Sequence, residues 1–153
     1  MDLTQLHRLR ETAIDKNWKE LENFFNSSIQ LRHNGIHIDL SDLERPSAIV
    51  ETVESYHRGG IGTDAVNGAV IAMLADLALG LLGLAYFSEG MTATSSLTIN
   101  YVKPLRASKI IARAEQTEVV NNRIFGIVRV MTENEEVCAY ATGAVAKGIS
   151  IRT

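Results

Sequence analysis

The sequence predicts an α+β fold in which one antiparallel sheet wraps around a long apolar helix, with an extra amphipathic helix at the N-terminus. The run "VNGAVIAMLADLALGLLGLAYF", residues 66–87, would be apolar on nearly every side of a helix. That pattern is typical of a helix covered by protein all round. After Gly90 the apolar period changes from about 3.6 to about 2, which indicates strands.

The elements before the apolar run are short. Residues 1–30 are expected to form an N-terminal helical extension, because apolar residues such as Trp18, Leu21 and Phe25 recur there at helical spacing. Alternation in "NGIHIDL" and the run "SAIVETV" then predict two strands. Residues 57–64, with three glycines, are expected to form a loop that leads into the central helix.

The central helix and the strand after it carry the polar residues of interest. Asn67 is expected to be the N-cap, and the helix is expected to end between Tyr86 and Gly90. In "TATSSLTINYV" the alternation places Leu97 on one face of the strand and Thr94 on the opposite face. Three further runs, near 108–120, 123–132 and 136–147, predict an antiparallel meander whose first turn is Asn121-Asn122.

Composition limits the classes of function. The chain has 153 residues, is 46% hydrophobic and carries a net charge of −3, which suits one globular domain, residues 1–153. The charge pattern has no basic stripe, so no nucleic-acid partner is expected. Cys138 is the single cysteine, which excludes an internal disulfide and a multi-cysteine zinc site. The first residues lack the apolar core of a signal peptide, so a cytoplasmic location is expected.

The apolar run is also long enough to cross a membrane, since about 20 residues suffice. Asn67 and Asp76 within it oppose that interpretation, because polar groups are costly in lipid. No membrane association is therefore expected. A membrane-anchored interaction protein remains an alternative, and it predicts that the chain needs detergent to leave the membrane.

The motifs "NGAVIAMLAD" and "TINYVKP" in this order resemble the hotdog-fold thioesterases, in the branch of the phenylacetate-pathway acyl-CoA thioesterases. Asn67-Gly68-Ala69 stands where that family has His-Gly-Gly, and Ala75-Asp76 where it has an Ala-Asp pair. Two positions depart from the family pattern: its His is Asn67 here, and Ile61 stands where an Asn often precedes that His by six residues.

The resemblance implies a function and a set of roles. The chain would hydrolyse an acyl-CoA thioester, with Asp76 as nucleophile or general base and Thr94 as the residue that positions water. The backbone N–H groups of Gly68 and Ala69 would stabilise the oxyanion, as the N–H groups at a helix start do for developing negative charge. Asn67 would cap the helix or donate to the substrate.

Helix geometry adds a condition to those roles. Gly68 and Asp76 are eight residues apart, so they are separated by about 12 Å along one helix. One helix cannot bring both to the same carbonyl, so Asp76 is expected to act with Gly68 of a partner subunit across a two-fold axis. An obligate homo-oligomer, either a dimer or a dimer of dimers, is therefore expected.

The remaining candidates concern coenzyme A and cofactors. Lys103, Arg106 and Arg123 are candidates for binding its phosphates, although surface cations are commonly only solvated. The histidines lack metal-ligand spacing, so no metal is expected, nor any cofactor except coenzyme A as part of the substrate.

Alternative functions stay open. A single Asp in an apolar helix also occurs as a structural residue satisfied by a hydrogen bond. A catalytically silent hotdog protein that binds acyl- or aryl-CoA is the main alternative, and a hotdog dehydratase is disfavoured because no His lies near the helix start in the sequence.

Overall fold

The structure, a computed structural model, describes residues 3–60, 62–86 and 92–147. The helices are α1 (Leu3–Ile14), α2 (Trp18–Asn26), α3 (Ile29–His33) and α4 (Gly68–Leu81), which continues as a 3₁₀ turn over Leu82–Ala85. The strands are β1 (Ile36–Asp39), β2 (Ser47–Val50), β3 (Thr92–Tyr101), β4 (Ile110–Val120), β5 (Arg123–Thr132) and β6 (Val137–Lys147). This confirms the predicted α+β class and the predicted strands.

The N-terminal extension is helical, but the prediction of one amphipathic helix is wrong. The first helix ends at Ile14, and Lys16 adopts a positive φ of 55° that no α-helix accommodates. Asn17 then caps α2 by accepting a hydrogen bond from the N–H of Glu20. The break turns the chain so that α1 packs against α2, which in turn packs against β1.

Side chains of α2 bind directly to the backbone of β1, the strand at one end of the sheet. The Asn26 amide accepts from Ile38 N–H at 2.7 Å and donates to Ile38 C=O at 2.9 Å. The Glu22 carboxylate accepts from Leu40 N–H at 2.8 Å. These bonds pair backbone groups on the outer side of β1 and fix α2 against the sheet.

The six strands form one antiparallel sheet in the order β1-β2-β4-β5-β6-β3. The predicted meander β4-β5-β6 is confirmed, and its first turn has Asn121 at φ 55°. β3 lies at the far edge beside β6, so the chain returns from that edge to the middle of the sheet between β3 and β4.

The sheet curves around α4, whose inward residues are buried: Ile71, Leu74, Ala75, Ala78, Leu79 and Leu81. Gly143 in β6 permits this close approach, because a Cβ there would lie 2.7 Å from Leu79 Cδ2 and 2.2 Å from Ser96 O. The span Gly68–Ala85 has the length and mean hydropathy, 2.1, of a membrane helix. In the structure it is the core helix. The predicted end between Tyr86 and Gly90 extends beyond the described residues, but the helical turns already stop at Ala85.

A bulge in β3 corrects one sequence expectation. Thr94 lies opposite Val145 of β6 and Leu97 lies opposite Gly143, with the register shift between Thr94 and Ser96. Directly opposed residues project on the same side of a sheet, and Val145 is fully buried. Thr94 and Leu97 therefore share the inner face, because the extra residue of the bulge reverses the alternation.

Candidate active site

The start of α4 is capped by Asn67, as the sequence predicts. Its backbone is extended (φ −62°, ψ 134°), and its side-chain oxygen accepts a hydrogen bond from Ala69 N–H at 2.9 Å. The expected pair of oxyanion donors is thus not equally available. Ala69 N–H is already engaged by the cap, whereas Gly68 N–H makes no backbone hydrogen bond within the described part of the chain. Gly68 is the better placed donor.

The loop before α4 holds this cap in place by short-range contacts. Asn67 N–H donates to His57 C=O at 2.9 Å, and Gly59 N–H donates to Ala65 C=O at 3.0 Å. A Cβ at Gly59 would lie 2.8 Å from Asn67 Cα, so only glycine permits the loop to pack so closely. Ile61, the second departure from the family pattern, lies outside the described residues.

His57 corrects the expectation that no histidine is near the helix start. It is distant in sequence, but its carbonyl contacts Asn67 directly. The His57 ring is 1% exposed; Nδ1 accepts from Glu54 N–H at 2.9 Å, and Nε2 then donates to Asn34 C=O at 2.8 Å. Both ring nitrogens are committed to the backbone, so this histidine has a structural role and does not supply the acid or base of a dehydratase.

Tyr101, the tyrosine of the motif "TINYVKP", also contacts the helix start. Its hydroxyl donates to Gly68 C=O at 3.1 Å. A Cβ at Gly68 would lie 3.4 Å from the ring, so the small residue allows the tyrosine to pack over the first turn. The side chain is 56% exposed, which leaves it on the surface beside the proposed oxyanion donor.

Asp76 lies on the exposed side of α4, and it lines a groove of about 770 Å³ together with Thr94 of β3. The structure therefore brings these two predicted residues to one cavity, and the bulge in β3 is what turns Thr94 towards it. The opposite wall of the groove comes from α2, including Phe24 and Phe25. Gly68 and Asp76 remain about 12 Å apart on one helix, as expected from their spacing.

The three predicted phosphate-binding cations do not form one cluster within a protomer. Lys103 forms an ion pair with Glu136, and Arg106 Nε lies 2.6 Å from Asp64 Oδ1. The hydrogen bond from Arg106 lowers the pKa of Asp64. Arg123 begins β5 at the other end of the sheet, in a shallow groove beside the Asn121-Asn122 turn.

Metal chemistry finds no support among the described residues. Across residues 3–60, 62–86 and 92–147, no three His, Cys, Asp or Glu side chains are arranged to hold a metal ion. Cys138 is buried in β6, where desolvation raises the pKa of its thiol. That environment makes the thiol a poor nucleophile at neutral pH.

Comparison with known proteins agrees with the fold described above. Residues 64–139, which contain α4 and most of the strands after it, match the family model of the thioesterase superfamily. The comparison with curated proteins finds no match.

Solved structures extend the likeness to nearly the whole chain. The PaaI protein of the Escherichia coli phenylacetic acid degradation operon superimposes with a TM-score of 0.72 at 18% identity, covering 93% of this chain and 97% of that one. A Haemophilus influenzae thioesterase gives 0.73 at 21% identity, covering 88% and 92%. A mutant of the phenylacetic acid degradation protein PaaI from Thermus thermophilus gives 0.65 at 20% identity, covering 79% and 100%. The chain therefore has the hotdog fold of these thioesterase structures, and residues 64–139 match the thioesterase superfamily.

Proposed function

We propose that this protein is an acyl-CoA thioesterase in which Asp76 is the nucleophile or general base. The observation that carries the proposal is the position of Asp76. It is the one carboxylate of an otherwise apolar core helix, yet it lines an open groove with Thr94 rather than being buried and paired. A purely structural acid in such a helix would be expected to be buried and hydrogen-bonded, whereas Asp76 is exposed.

Two reaction routes suit this arrangement. As a general base, Asp76 takes a proton from water while the water oxygen bonds to the thioester carbonyl carbon. As a nucleophile, its oxygen bonds to that carbon and water later hydrolyses the resulting anhydride. In both routes the C–S bond breaks, the acid is released, and the coenzyme A sulfur leaves with the electron pair and takes up a proton. Thr94 Oγ1 would orient the water.

The proposed oxyanion donor is Gly68 N–H of a partner subunit. The β3 strand supports this assembly, because it is an edge strand of ten residues with no neighbour on its outer side within the described sheet. A two-fold axis beside β3 would run the two α4 helices antiparallel, with Asp76 of each near the start of the other. The proposed unit is a homodimer or a dimer of dimers, each protomer a single domain over residues 1–153.

Coenzyme A is the proposed leaving group, and no further cofactor is included. Lys103 and Arg106 lie on the segment after β3, near the start of α4, where Leu105 C=O accepts from Val66 N–H at 2.9 Å. Lys103 and Arg106 are candidates for binding the phosphates of coenzyme A. Each would then leave its carboxylate partner, Glu136 or Asp64, and pair with a phosphate. Arg123 contributes only if a partner subunit brings it to the same end. The proposed location is cytoplasmic, and no nucleic acid or membrane takes part.

A protein that binds acyl- or aryl-CoA without hydrolysis is the second candidate. Asn67 favours it, because an amide does not titrate as the family histidine does, and because its side chain engages Ala69 N–H, one of the two expected oxyanion donors. Binding of coenzyme A esters without turnover would support this candidate.

The test is hydrolysis of a panel of acyl- and aryl-CoA esters by the wild type and Asp76→Asn. Loss of a general base lowers the rate by about 10²–10⁴, so a decrease of that size in kcat is expected. Glu118→Gln is the matched control, since it neutralises an exposed carboxylate on β4 outside the groove. If Asp76→Asn hydrolyses every accepted ester at the wild-type rate, the proposed mechanism is wrong.

A further inference from the structure

Gly80 occupies a position in α4 where neither the backbone nor the packing requires glycine. It does not adopt a positive φ, unlike Gly35, Gly60 and Gly62. A Cβ built there would meet nothing within 4 Å among the described atoms. Glycine weakens a helix relative to alanine, so Gly80 is unfavourable for the stability of α4. What it provides is open space beside the helix.

Gly83, one turn later, shows the contrast. A Cβ at Gly83 would lie 2.1 Å from Thr92 Cγ2 and 3.2 Å from Val145 Cγ1. That glycine is explained by close packing of the turn on β3 and β6. Gly80 has no such explanation, and the space above it belongs to the groove that contains Asp76.

The placement of Gly80 along the helix is specific. It follows Asp76 by four residues and so lies on the same face, about 6 Å further along the axis. Leu84, four residues later again, also lines the groove. The floor of the groove therefore runs from a carboxylate, across a gap without a side chain, to a leucine.

The facing wall is apolar and held firmly. Phe24 and Phe25 pack edge to face, with ring centroids 6.4 Å apart, and both line the groove. Asn26 and Glu22 bind the same helix to the backbone of β1. A groove of about 770 Å³ with a preformed apolar wall and a few polar groups at one side has the character of a small-molecule site.

We propose that Gly80 keeps open the channel for the acyl chain of the substrate, which extends from Asp76 along α4 to the phenyl rings of α2. This inference rests on the proposed function, and it specifies the substrate class as a thioester of an extended apolar acyl chain. A side chain at position 80 would meet the carbons next to the thioester. The N-terminal helices then take part in substrate selection, because they form the wall that the acyl chain contacts.

The test compares the wild type with Gly80→Ala and Gly80→Leu, using butanoyl-CoA and octanoyl-CoA as probes. Each buried methylene improves affinity about fourfold, so the wild type should prefer octanoyl-CoA by up to about two hundredfold. We expect Gly80→Leu to reduce that preference at least tenfold, with Gly80→Ala between the two. Phe24→Ala should reduce it as well, whereas Ile29→Ala, on the exposed side of α3 and outside the groove, should leave it unchanged.

Two readouts separate failure of this inference from failure of the proposed function. Calorimetric binding to proteins that also carry Asp76→Asn measures the octanoyl preference without turnover, and kcat/KM measures it with turnover. If the preference for octanoyl-CoA in binding depends on position 80 but the protein with Asp76 intact hydrolyses no ester, the channel is supported. Only the proposed thioesterase activity is then overturned. An unchanged preference in Gly80→Leu and Gly80→Ala overturns the channel. A change in the mass of the oligomer, measured by light scattering on Gly80→Ala, also overturns the channel. The glycine would then serve the packing of subunits against one another.

Discussion

Replacement of Asn67 by aspartate separates helix capping from catalysis at the same position. The two side chains have nearly the same shape, and both cap helices well. The aspartate oxygen would keep the 2.9 Å hydrogen bond from Ala69 N–H, and its negative charge would favour the positive helix end by about 0.3–1 kcal/mol. Asn67→Asp is therefore expected to be as stable as the wild type or slightly more stable.

The same charge would oppose the oxyanion that develops at Gly68 N–H. Two unit charges about 5 Å apart, at an effective dielectric constant of about 20, repel by about 3 kcal/mol. That energy corresponds to a loss of about a hundredfold in kcat/KM. Thiol release from an accepted acyl-CoA measures the loss, and thermal unfolding measures stability, with about 2–4 °C expected for each kcal/mol in a chain of this size.

Asn67→Ser is the matched control, because serine caps without adding charge. It should retain most of the wild-type kcat/KM and unfold at nearly the same temperature. If Asn67→Asp matches the wild type in kcat/KM while retaining its stability, the oxyanion does not form at this helix start, and the assignment of Gly68 as donor is refuted.

Three further substitutions test the scaffold around the site. Gly83→Ala should destabilise the protein by about 1–3 kcal/mol in urea unfolding, because its Cβ would lie 2.1 Å from Thr92 Cγ2; an unchanged midpoint would contradict the packing described. Asn26→Ala leaves backbone groups of β1 without partners, which should lower the free energy of unfolding by about 1–3 kcal/mol and speed hydrogen exchange at that strand. Wild-type protection of β1 in this variant would contradict the stabilising role given to the Asn26 hydrogen bonds. Hydrogen bonds from Ser41 lower the pKa of Asp39, so its contribution to stability is present above about pH 4 and lost as the pH falls through the lowered value. Asp39→Asn should remove that part of the acid dependence, and an identical pH profile would show that the carboxylate contributes nothing.

The fold was predictable because its periodic signals are strong. The apolar run of α4 and the alternation in β4, β5 and β6 identify a helix enclosed by a sheet without reference to any contact. The break at Lys16 was harder to foresee, since neither Pro nor Gly marks it. The break depends on Asn17 capping a new helix. An Asn side chain that binds nearby backbone N–H groups favours a helix start over the interior of a continuous helix.

The site was predictable in composition and less so in geometry. The sequence indicated Asp76, Thr94 and the helix start, but placed Thr94 on the wrong face, because residues 94–96, Thr-Ser-Ser, give no sign of which one forms the bulge. His57 was missed because nine residues, 58–66, separate it from Asn67 in sequence. Gly80 has no sequence signature, since its importance lies in the space around it.

The two edges of the sheet differ in a way that limits how many chains can assemble through strand pairing. An exposed edge is a template on which further strands add, and two such edges on one molecule permit growth without end. Here Asn26 and Glu22 occupy the outward backbone groups of Ile38 in β1 and of Leu40 just after it, which leaves β3 as the one edge open to a neighbour in the described sheet. Two chains that join β3 to β3 use up both open edges at once, so assembly by this route stops at a pair and does not continue into a fibre.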